Sequence, residues 1–410
     1  DYYASRGLGD VYKRQLFIPA LLKAQPRPAH RKKVGVVLSG GGAKGMAHIG
    51  VLKVIEKAGI PIDYVVGTSM GSIIGGLYSI GYSPEQLDSM VRRQDWTFLL
   101  SDKIPRSEQN LSERDASQKY VFSIPFGKGV KAEVFGGLIR GQNLANLFSE
   151  LTIGYHDSIN FNKLPIPFAC VSENIVNGNE VNFHEGVLAT AMRASMAIPG
   201  VFTPVRLDSM VLVDGGVVNN YPVNVARAMG ADLIIGVDVQ SELKPAGELN
   251  SAGAILGQLV NLMGQDLYKK NLKETTTYIK VNVEGYSAAS FTPSAIDTLI
   301  MRGEEAAMAQ DSALMALKSQ LGLDSTYMPQ PIPSYPYSPE RKVYVKEITF
   351  DGLDEKDKKW LLKRCDLKEN SEISIRRIEE ATAILSANLG YSGATYNLPE
   401  APGGGYNLNY

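Results

Sequence analysis

Short apolar runs alternate with amphipathic stretches over the first two thirds of the chain. The run Val34–Leu38 is followed by a glycine-rich loop, and apolar residues at helical spacing then continue from Met46 to Gly59. A second apolar run at 62–66 leads into a sharp turn and another helical pattern that ends at Gly81. Such alternation is typical of a parallel sheet with helices on both faces, so we predict an α/β fold.

The same alternation returns after a mixed region at 82–165. Within the mixed region, 84–93 is a predicted helix and 138–151 contains amphipathic segments. After it, strand patterns cover 168–171, 210–213 and 233–239, and helical patterns cover 186–192, a segment that begins at Pro222, 252–275 and 294–321. We therefore expect one large three-layer α/β/α domain with a mostly parallel central sheet, over residues 34–325.

A proline-rich stretch separates a second, smaller unit from the first. Residues 326–342 contain these prolines and form the predicted linker. Beyond the linker, 343–350 alternates like a half-buried strand. Two helical patterns follow at 354–364 and 374–388, and strand patterns follow at 391–398 and 405–410. The predicted order is β-α-α-β-β, so residues 343–410 are expected to form a small α+β domain.

Composition is that of an ordinary globular protein. The 410 residues are 44% hydrophobic and 21% charged, and the formal net charge is −1, so no basic field for nucleic acid is predicted. The two cysteines, Cys170 and Cys365, are far apart and indicate neither a disulfide framework nor a cysteine metal site. No apolar run reaches the roughly eighteen residues that a membrane-spanning helix needs.

The first 33 residues do not fit the fold pattern. Residues 16–24 resemble the end of a signal-peptide apolar region, with the small residue Ala24 at the position of a cleavage site. Residues 1–15 resemble translated adaptor sequence. We therefore leave residues 1–33 out of the fold and predict export, and the alternative is a disordered N-terminal tail.

A Gly-x-Ser-x-Gly sequence stands where the second strand pattern meets its helix. Ser69 lies between Gly67 and Gly71. A sharp strand-to-helix turn would hold its hydroxyl out at the carboxyl edge of the sheet, and the flanking glycines make that turn sterically possible. Ser69 is therefore the candidate nucleophile.

The glycine-rich loop after the first strand can be interpreted in three ways. Gly40, Gly42 and Gly45 match a dinucleotide-binding pattern, but the second strand ends without the acidic residue that would hold a ribose. A phosphate-binding loop would need Lys and then Ser or Thr after the last glycine, where Met46 stands. The third interpretation is an oxyanion hole formed by backbone N–H groups at a helix N-terminus. Structural glycines in a tight turn are the alternative.

No histidine is well placed to act as the base for Ser69. An α/β-hydrolase triad has the order Ser, acid, His, and no histidine follows the best acid candidate. The four histidines include His30 in the N-terminal lead and His48 in the first turn after the glycine loop, where a structural role is expected. His156 and His184 lie in polar segments and are predicted at the surface.

Asp214 is the candidate base. It ends an apolar strand, and Gly215 and Gly216 after it allow the backbone to turn and leave the carboxylate accessible. Carboxyl ends of parallel strands meet at one crevice, where Ser69 is also expected. An aspartate with a pKa near 4 is a weak base, so its surroundings should modify it. Asp238, at the end of another strand, is the competing candidate.

Three ordered motifs resemble those of the bacterial patatin-like phospholipase family. They are Gly-Gly-Gly-Ala-Lys-Gly at 40–45, Gly-Thr-Ser-Met-Gly at 67–71 and Asp-Gly-Gly at 214–216, and the segments 194–199 and 219–222 also resemble the family. The similarity covers about residues 34–320. It implies a lipid acyl hydrolase with a dyad of Ser69 and Asp214, without histidine, metal or cofactor. In such an enzyme the oxyanion hole would be formed by Gly40, Gly41 and Gly42.

The same resemblance identifies residues that support these groups. They are Lys44, Gly45, Gly67, Gly71, Gly215 and Gly216. Lys44 stands where many family members have arginine, which preserves the charge but not the guanidinium fork.

The C-terminal β-α-α-β-β pattern is similar to a POTRA domain. A patatin-like domain followed by a POTRA domain resembles outer-membrane autotransporters, in which a β-barrel comes next. The resemblance therefore implies an exported protein at the outer membrane, cell surface or periplasm of a Gram-negative bacterium. Its partners would be a phospholipid or another acyl-ester lipid and the membrane surface, with no nucleic acid. A non-lipid serine esterase and a catalytically idle lipid-binding module are the alternatives.

Overall fold

The computed structural model describes residues 31–101, 137–250, 255, 257–258, 262–333, 340–351, 355–388 and 394–410. The predicted signal-peptide remnant at 16–24 lies outside the described residues, as do parts of the predicted helix at 252–275, the linker at 326–342 and the strand at 391–398. The described chain begins at Arg31, whose guanidinium forms an ion pair with Asp63 at 2.6 Å.

Every strand predicted in the main domain is present, together with shorter strands that the sequence pattern does not predict. The strands are β1 (Val34–Leu38), β2 (Tyr64–Thr68), β3 (Gly137–Ile139), β4 (Ile159–Asn160), β5 (Phe168–Asn174), β6 (Asn179–Phe183), β7 (Glu185–Gly186), β8 (Gly200–Phe202), β9 (Val205–Leu207), β10 (Met210–Asp214), β11 (Leu233–Asp238), β12 (Thr277–Lys280), β13 (Lys342–Thr349), β14 (Ser371–Ser374) and β15 (Tyr406–Asn409).

The helices follow the predicted pattern closely in the first half of the chain. They are α1 (Ala47–Lys57), α2 (Met70–Ser79), α3 (Pro84–Arg93), α4 (Trp96–Leu99), α5 (Gln142–Leu151), α6 (Leu188–Ser195), α7 (Val223–Ala228), α8 (Gln265–Lys273), α9 (Pro293–Met308), α10 (Asp311–Gln320), α11 (Glu355–Arg364) and α12 (Ile375–Asn388). The predicted single helix at 294–321 is therefore two helices. No Gly or Pro marks the break, which redirects the chain so that Leu314 and Leu317 are buried.

The central sheet has the order β12-β11-β1-β2-β5-β10-β9, and β6 also pairs with β5. The strands from β12 to β5 are parallel, whereas β10 and β6 run antiparallel to β5 and β9 runs antiparallel to β10. The prediction of a mostly parallel sheet is thus confirmed. The antiparallel direction of β10 matters because this strand carries Asp214.

Helices cover both faces of this sheet. Val36 and Leu38 of β1 face a large core that includes Ile49 of α1 and Ile74 of α2. Side chains of successive strand residues point to opposite faces, so Val37 faces a second core, which α7 covers. The result is the predicted α/β/α arrangement, with the Ser69 turn between β2 and α2.

Helix α3 begins where its sequence signals predict. The Ser83 hydroxyl accepts the N–H of Gln86 at 3.2 Å, the Gln86 side chain accepts the N–H of Ser83 at 2.8 Å, and Pro84 occupies the first helical position. This capping box satisfies two of the N–H groups that a helix start leaves unpaired. It fixes the start of a helix whose far end lines the cavity beside Ser69.

The C-terminal unit has its own sheet and core, but its element order differs from the prediction. Strand β13 lies between β14, which is antiparallel to it, and β15, which is parallel to it. The order is β-α-β-α-β, because Ser371–Ser374 forms a short strand between the two predicted helices. That strand has a single apolar residue, Ile373, which is too little for a strand pattern. Of the strand predicted at 391–398, the described residues show one bridge, between Asn397 and Asn409.

His156 joins the main domain to the C-terminal unit, so the prediction that it lies at the surface is wrong. Its Nδ1 accepts the N–H of Leu398 at 2.7 Å, and its Nε2–H donates to Ser149 O at 2.7 Å. The ring is buried, and burial lowers its pKa. Ile153 also extends from the main domain into the core of the C-terminal unit.

Candidate active site

Ser69 occupies a strained backbone conformation at the turn between β2 and α2. Its φ of 54° and ψ of −123° lie in a region that residues other than glycine rarely adopt. The carbonyl of Ser69 accepts the N–H of Ser72 at 2.9 Å and the Ser72 hydroxyl at 2.6 Å. Its N–H donates to Ser195 Oγ at 3.0 Å. Both ends of the Ser69 residue are therefore held.

The glycines that flank Ser69 allow the backbone to pass very close to its neighbours. A Cβ on Gly67 would lie 2.2 Å from Gly71 O, and a Cβ on Gly71 would lie 2.2 Å from Leu38 O. Both distances are impossible for a real side chain. A Cβ would also be crowded at the other predicted supporting glycines, which are Gly45, Gly215 and Gly216. The turn therefore depends on these glycines for steric reasons.

The structure brings Ser69 and Asp214 together. Ser69 Oγ donates to Asp214 Oδ2 at 2.6 Å, and the other carboxylate oxygen accepts the N–H of Gly216 at 2.7 Å. Both side chains are buried. Burial raises the pKa of Asp214 to about 6, even though the hydrogen bonds from Ser69 and Gly216 act in the opposite direction. The carboxylate is thus a stronger base than an exposed aspartate and is still ionised at neutral pH.

The reason expected for this proximity is wrong. Asp214 does not reach Ser69 from the carboxyl edge of a parallel strand, because β10 runs antiparallel to β5. In register, Asp214 lies opposite Ser172, one residue beyond Val171, which lies opposite Thr68. The last residue of β10 therefore reaches the serine from the opposite direction.

Asp238, the competing candidate, is occupied by other groups. Its Oδ2 accepts hydrogen bonds from Lys280 Nζ at 2.9 Å, Tyr278 OH at 2.7 Å and Tyr268 OH at 2.8 Å. Burial alone would raise the pKa of Asp238, but Lys280 and the hydrogen bonds together lower it. Asp238 thus holds together the ends of β11 and β12 and makes no hydrogen bond to Ser69.

His48 has the structural role expected for it. It is fully buried, and its Nε2–H donates to Ser39 O at 2.8 Å, directly before the glycine loop. Burial lowers its pKa to about 4, so the ring is neutral at physiological pH. His184 is half-buried on the loop after β6. In the described chain, neither His48 nor His184 forms a hydrogen bond with the Ser69 hydroxyl.

The glycine loop packs directly against Ser69. A Cβ on Gly40 would lie 3.0 Å from Ser69 Cβ and 2.3 Å from Asn220 Oδ1. The N–H of Gly40 donates to Asn220 O at 3.3 Å. In the described chain, the N–H groups of Gly41 and Gly42 donate to no protein acceptor. Two unpaired donors therefore lie on the loop beside Ser69.

Lys44 continues this loop but bonds elsewhere. Its ammonium donates to Ser241 Oγ at 2.8 Å. Burial, together with the nearby charge of Lys280, lowers the pKa of Lys44 to about 8, while Asp238 acts in the opposite direction. Among the described residues, Lys44 forms a hydrogen bond that stabilises the loop and none to Ser69 or Asp214.

An apolar cavity of about 350 Å³ is lined by Ser69 and Gly42 on one side. Its walls come from α2, α3, α5, β8 and the residues around 196–198 and 288–291. The wall residues include Met46, Met70, Ile73, Leu77, Met90, Trp96, Leu144, Leu147, Phe148, Leu151, Ile198, Phe202 and Phe291, and Gln94 is a polar exception. Trp96 stacks on Phe291 with ring centroids 4.8 Å apart. Such a cavity accepts hydrocarbon and no charged group.

Ser195 is a site residue to which sequence reasoning assigned no role. Its hydroxyl accepts the N–H of Ser69 and donates to Val171 O at 2.6 Å, so it links α6 and β5 to the turn. The segment 194–199 resembles the patatin-like family, but that resemblance assigns Ser195 no role. Its spacing from Ser69 along the chain contains no signal for this contact. Among the described residues, no group of three His, Cys, Asp or Glu side chains could hold a metal ion.

Comparison with known proteins agrees with the geometry. The family model described as patatin-like phospholipase matches residues 36–227. A patatin-like phospholipase domain-containing protein of Caenorhabditis elegans is 35% identical over 211 residues, which are 51% of this chain and 14% of that protein. An NTE family protein of Mycobacterium bovis is 29% identical over 230 residues, which are 56% of this chain and 55% of that protein.

One further curated protein and one solved structure are also similar to this chain. The lysophospholipase NTE1 of Candida albicans is 31% identical over 214 residues, which are 51% of this chain and 13% of that protein. The chain thus spans about half or less of the length of these relatives. The crystal structure of VipD from Legionella pneumophila is similar with a TM-score of 0.42 and 16% identity, covering 70% of this chain and 67% of that one. Over residues 36–227 the chain therefore carries a patatin-like phospholipase domain.

Proposed function

We propose that this protein is a serine lipid acyl hydrolase of the phospholipase A type. The observation that carries the proposal is the 2.6 Å hydrogen bond to Asp214 from Ser69, which lines an apolar cavity. An acyl chain in that cavity would bring its ester carbonyl to the serine. The names of the relatives, among them a lysophospholipase, support a lipid substrate.

The arrangement supports a two-step acyl transfer. Ser69 Oγ attacks the ester carbonyl while the hydroxyl proton passes to Asp214 Oδ2. This attack forms the bond between Ser69 Oγ and the carbonyl carbon and turns the carbonyl oxygen into an oxyanion. Collapse of this intermediate breaks the bond to the leaving alcohol, and Asp214 returns the proton to that alcohol. Water then repeats the sequence on the acyl-enzyme and releases the fatty acid. The raised pKa of Asp214 suits both acylation and deacylation, because in each step the carboxylate must accept a proton and return it near neutral pH.

The oxyanion would be stabilised by the glycine loop. Gly41 and Gly42 carry N–H groups without a protein acceptor in the described chain, and Gly42 lines the same cavity as Ser69. The N–H of Gly40 already donates to Asn220 O. The role of Gly40 is then to let the loop approach the serine, because any side chain would strike Asn220.

A membrane surface is the proposed source of the substrate. Strand β5 continues past the level of Ser69, and the turn after it exposes Ile175 by 52% and Val176 by 63%. The turn between Asn174 and Asn179 carries no charged side chain. Two exposed aliphatic residues on the same edge as the nucleophile support contact with lipid from that edge. Among the described helices, none is both long and apolar enough to cross a membrane.

We also infer an outer-membrane or cell-surface location, with a POTRA-like role for the C-terminal unit. The apolar pattern at 16–24 and the family resemblance support this inference. Cell fractionation with an antibody to the C-terminal unit tests it. Recovery in the outer-membrane fraction is expected, and recovery in the cytosol alone would contradict it.

The activity itself is tested by labelling with a serine-directed phosphonate alongside hydrolysis of acyl esters. Wild-type protein should be labelled and should cleave esters, and Ser69→Ala should do neither. Labelling that persists in Ser69→Ala would reject the proposal. Lipid binding by wild-type protein without any turnover would favour an idle lipid-binding module instead.

A further inference from the structure

We propose that Leu77 and Leu151 form the closed end of the cavity and so set the acyl-chain length that the enzyme prefers. This inference rests on the proposed function of Ser69 and adds a substrate preference to it. Both leucines line the cavity and are buried. A preference for esters of medium-length fatty acids follows from their distance from the serine.

One wall of the cavity is a single stripe of helix α2. The lining residues Met70, Ile73, Ile74 and Leu77 are spaced at i, i+3, i+4 and i+7, which places them on one face of the helix. The helix starts at the nucleophile itself, because Ser69 is its N-cap residue. An acyl chain that leaves Ser69 along this face therefore runs parallel to the helix axis.

Helix α5 forms a second wall and ends at the same place. Its lining residues Leu144, Leu147 and Leu151 form a corresponding stripe. Tyr82 fixes the two helix ends together, since its OH donates to Leu151 O at 2.9 Å and its N–H donates to Leu77 O at 3.2 Å. The C-terminal ends of α2 and α5 therefore meet beyond the cavity and close it.

The open end lies on the opposite side. Val201 lines the cavity and is 38% exposed, whereas Leu77 and Leu151 are 1% and 5% exposed. Val201 belongs to β8, which pairs with β3, and Ile139 of β3 also lines the cavity. A chain thus enters between Val201 and Ser69 and stops at the two leucines.

The geometry of helix α2 gives the length of the acyl chain that the cavity can accommodate. Eight residues separate Ser69 from Leu77, and a rise of about 1.5 Å per residue puts the closed end about 12 Å from the serine along the helix axis. An extended chain advances roughly 1.2 Å per bond. The cavity therefore accommodates an acyl chain of about ten carbons, and each methylene buried up to that limit should raise kcat/KM about fourfold.

The test is an ester series from four to sixteen acyl carbons with one leaving group, measured as kcat/KM. We expect an optimum near ten carbons in wild-type protein. Leu77→Ala and Leu151→Ala should shift the optimum by two or more carbons towards longer chains, and Leu77→Trp and Leu151→Trp should shift it towards shorter ones. The ratio of kcat/KM for the twelve-carbon and six-carbon esters within each variant is the readout, because a uniform loss of folded or active protein cancels in it.

A buried leucine outside the cavity provides the matched control. Leu52 on α1 is fully buried and does not line the cavity, so Leu52→Ala should keep the wild-type ratio. A wild-type ratio in both alanine variants, with Ser69-dependent hydrolysis intact, would overturn the proposed chain-length limit alone. Absence of Ser69-dependent hydrolysis of every ester would overturn the proposed function as well.

Discussion

Ser195 Oγ accepts the backbone N–H of Ser69 at 3.0 Å and is itself oriented by donating to Val171 O at 2.6 Å. The conformation of Ser69 costs on the order of 1–3 kcal/mol and persists only if its surroundings hold it. The hydroxyl of Ser195, fully buried, is one of the groups that hold it. Ser195 thus positions Ser69, the proposed nucleophile.

We expect Ser195→Ala to lower kcat by roughly ten- to a hundredfold with little change in KM. The substitution leaves a buried N–H without an acceptor, at about 1–3 kcal/mol, and allows the turn to relax. Steady-state kinetics on one acyl ester measures the split, and Ser195→Thr, which keeps the hydroxyl, should recover much of kcat. A parallel rise in KM with unchanged kcat would contradict a positioning role.

Asp214→Asn should make the protein more stable at neutral pH while abolishing catalysis. The pKa of Asp214 is about 6 in the folded protein against an ordinary value of 3.8, so the folded state binds this proton more tightly. The more tightly bound proton on Asp214 stabilises the folded state below about pH 4, and this contribution to the free energy of unfolding is lost as the pH rises through 6. Asparagine carries no charge, so the variant should gain up to about 3 kcal/mol at pH 8.

Urea unfolding at pH 8 and at pH 4.5 measures that gain. The difference between Asp214→Asn and wild-type protein should shrink as the pH falls. A variant that is less stable than wild type at pH 8 would show that the buried carboxylate is stabilising. That result would count against the raised pKa.

Ile175 and Val176 should affect activity on vesicles more than activity on a soluble ester. Replacing both with serine removes the exposed aliphatic surface of the β5–β6 turn. We expect roughly tenfold weaker sedimentation with phospholipid vesicles and a similar loss of vesicle hydrolysis, since full burial of one such side chain contributes about 1.5–3 kcal/mol. Met301→Ser, at a similarly exposed apolar residue on α9, is the control. Equal losses in the two variants would rule out a specific membrane contact.

His156→Leu should loosen the junction between the main domain and the C-terminal unit. The change removes the acceptor for the buried N–H of Leu398. Amide hydrogen exchange at Leu398 should become faster by about tenfold or more. His184→Leu, at a half-buried histidine whose ring forms no hydrogen bond to the C-terminal unit in the described chain, should leave that exchange rate unchanged.

The same site gives the junction a pH dependence. Burial lowers the pKa of His156, so the folded protein binds this proton less tightly than the unfolded chain does. Stability at the junction should therefore fall as the pH drops below the ordinary histidine value near 6.5. Exchange at Leu398 that does not change between pH 7.5 and 5.5, after correction for intrinsic rates, would contradict this account.

Local patterns were enough to predict the main fold. The strand at Val34–Leu38, the turn at Ser69 and the capped helix that starts at Pro84 each carry their signal within a few residues. The direction of β10 carries no such signal, because the direction of a strand in a sheet is set by its partners. The two glycines after Asp214 are a local signal that identifies it as a candidate base. The expectation that it reaches Ser69 from the end of a parallel strand is wrong, because β10 is antiparallel to β5.

Long-range contacts account for what the sequence did not reveal. Ser195 lies 126 residues from Ser69, and His156 meets Leu398 across 242 residues. A polar segment around His156 has the same pattern whether it is exposed or covered by another unit. The short strand Ser371–Ser374 has one buried residue and forms only because β13 lies beside it. Such features depend on the packed structure and not on periodicity.

The central claim, that Asp214 is the base for Ser69, is tested most directly by the pH dependence of kcat/KM for one acyl ester in wild-type protein and Asp214→Asn. The account predicts a wild-type rate that rises with pH through about 6 and is level above it, because the carboxylate must be ionised to accept the serine proton. Asp214→Asn, with Asp238→Asn as the carboxylate control, should lose about 10²- to 10⁴-fold and should lose the step near pH 6. An Asp214→Asn variant that keeps both wild-type activity and the same pH step would contradict the claim.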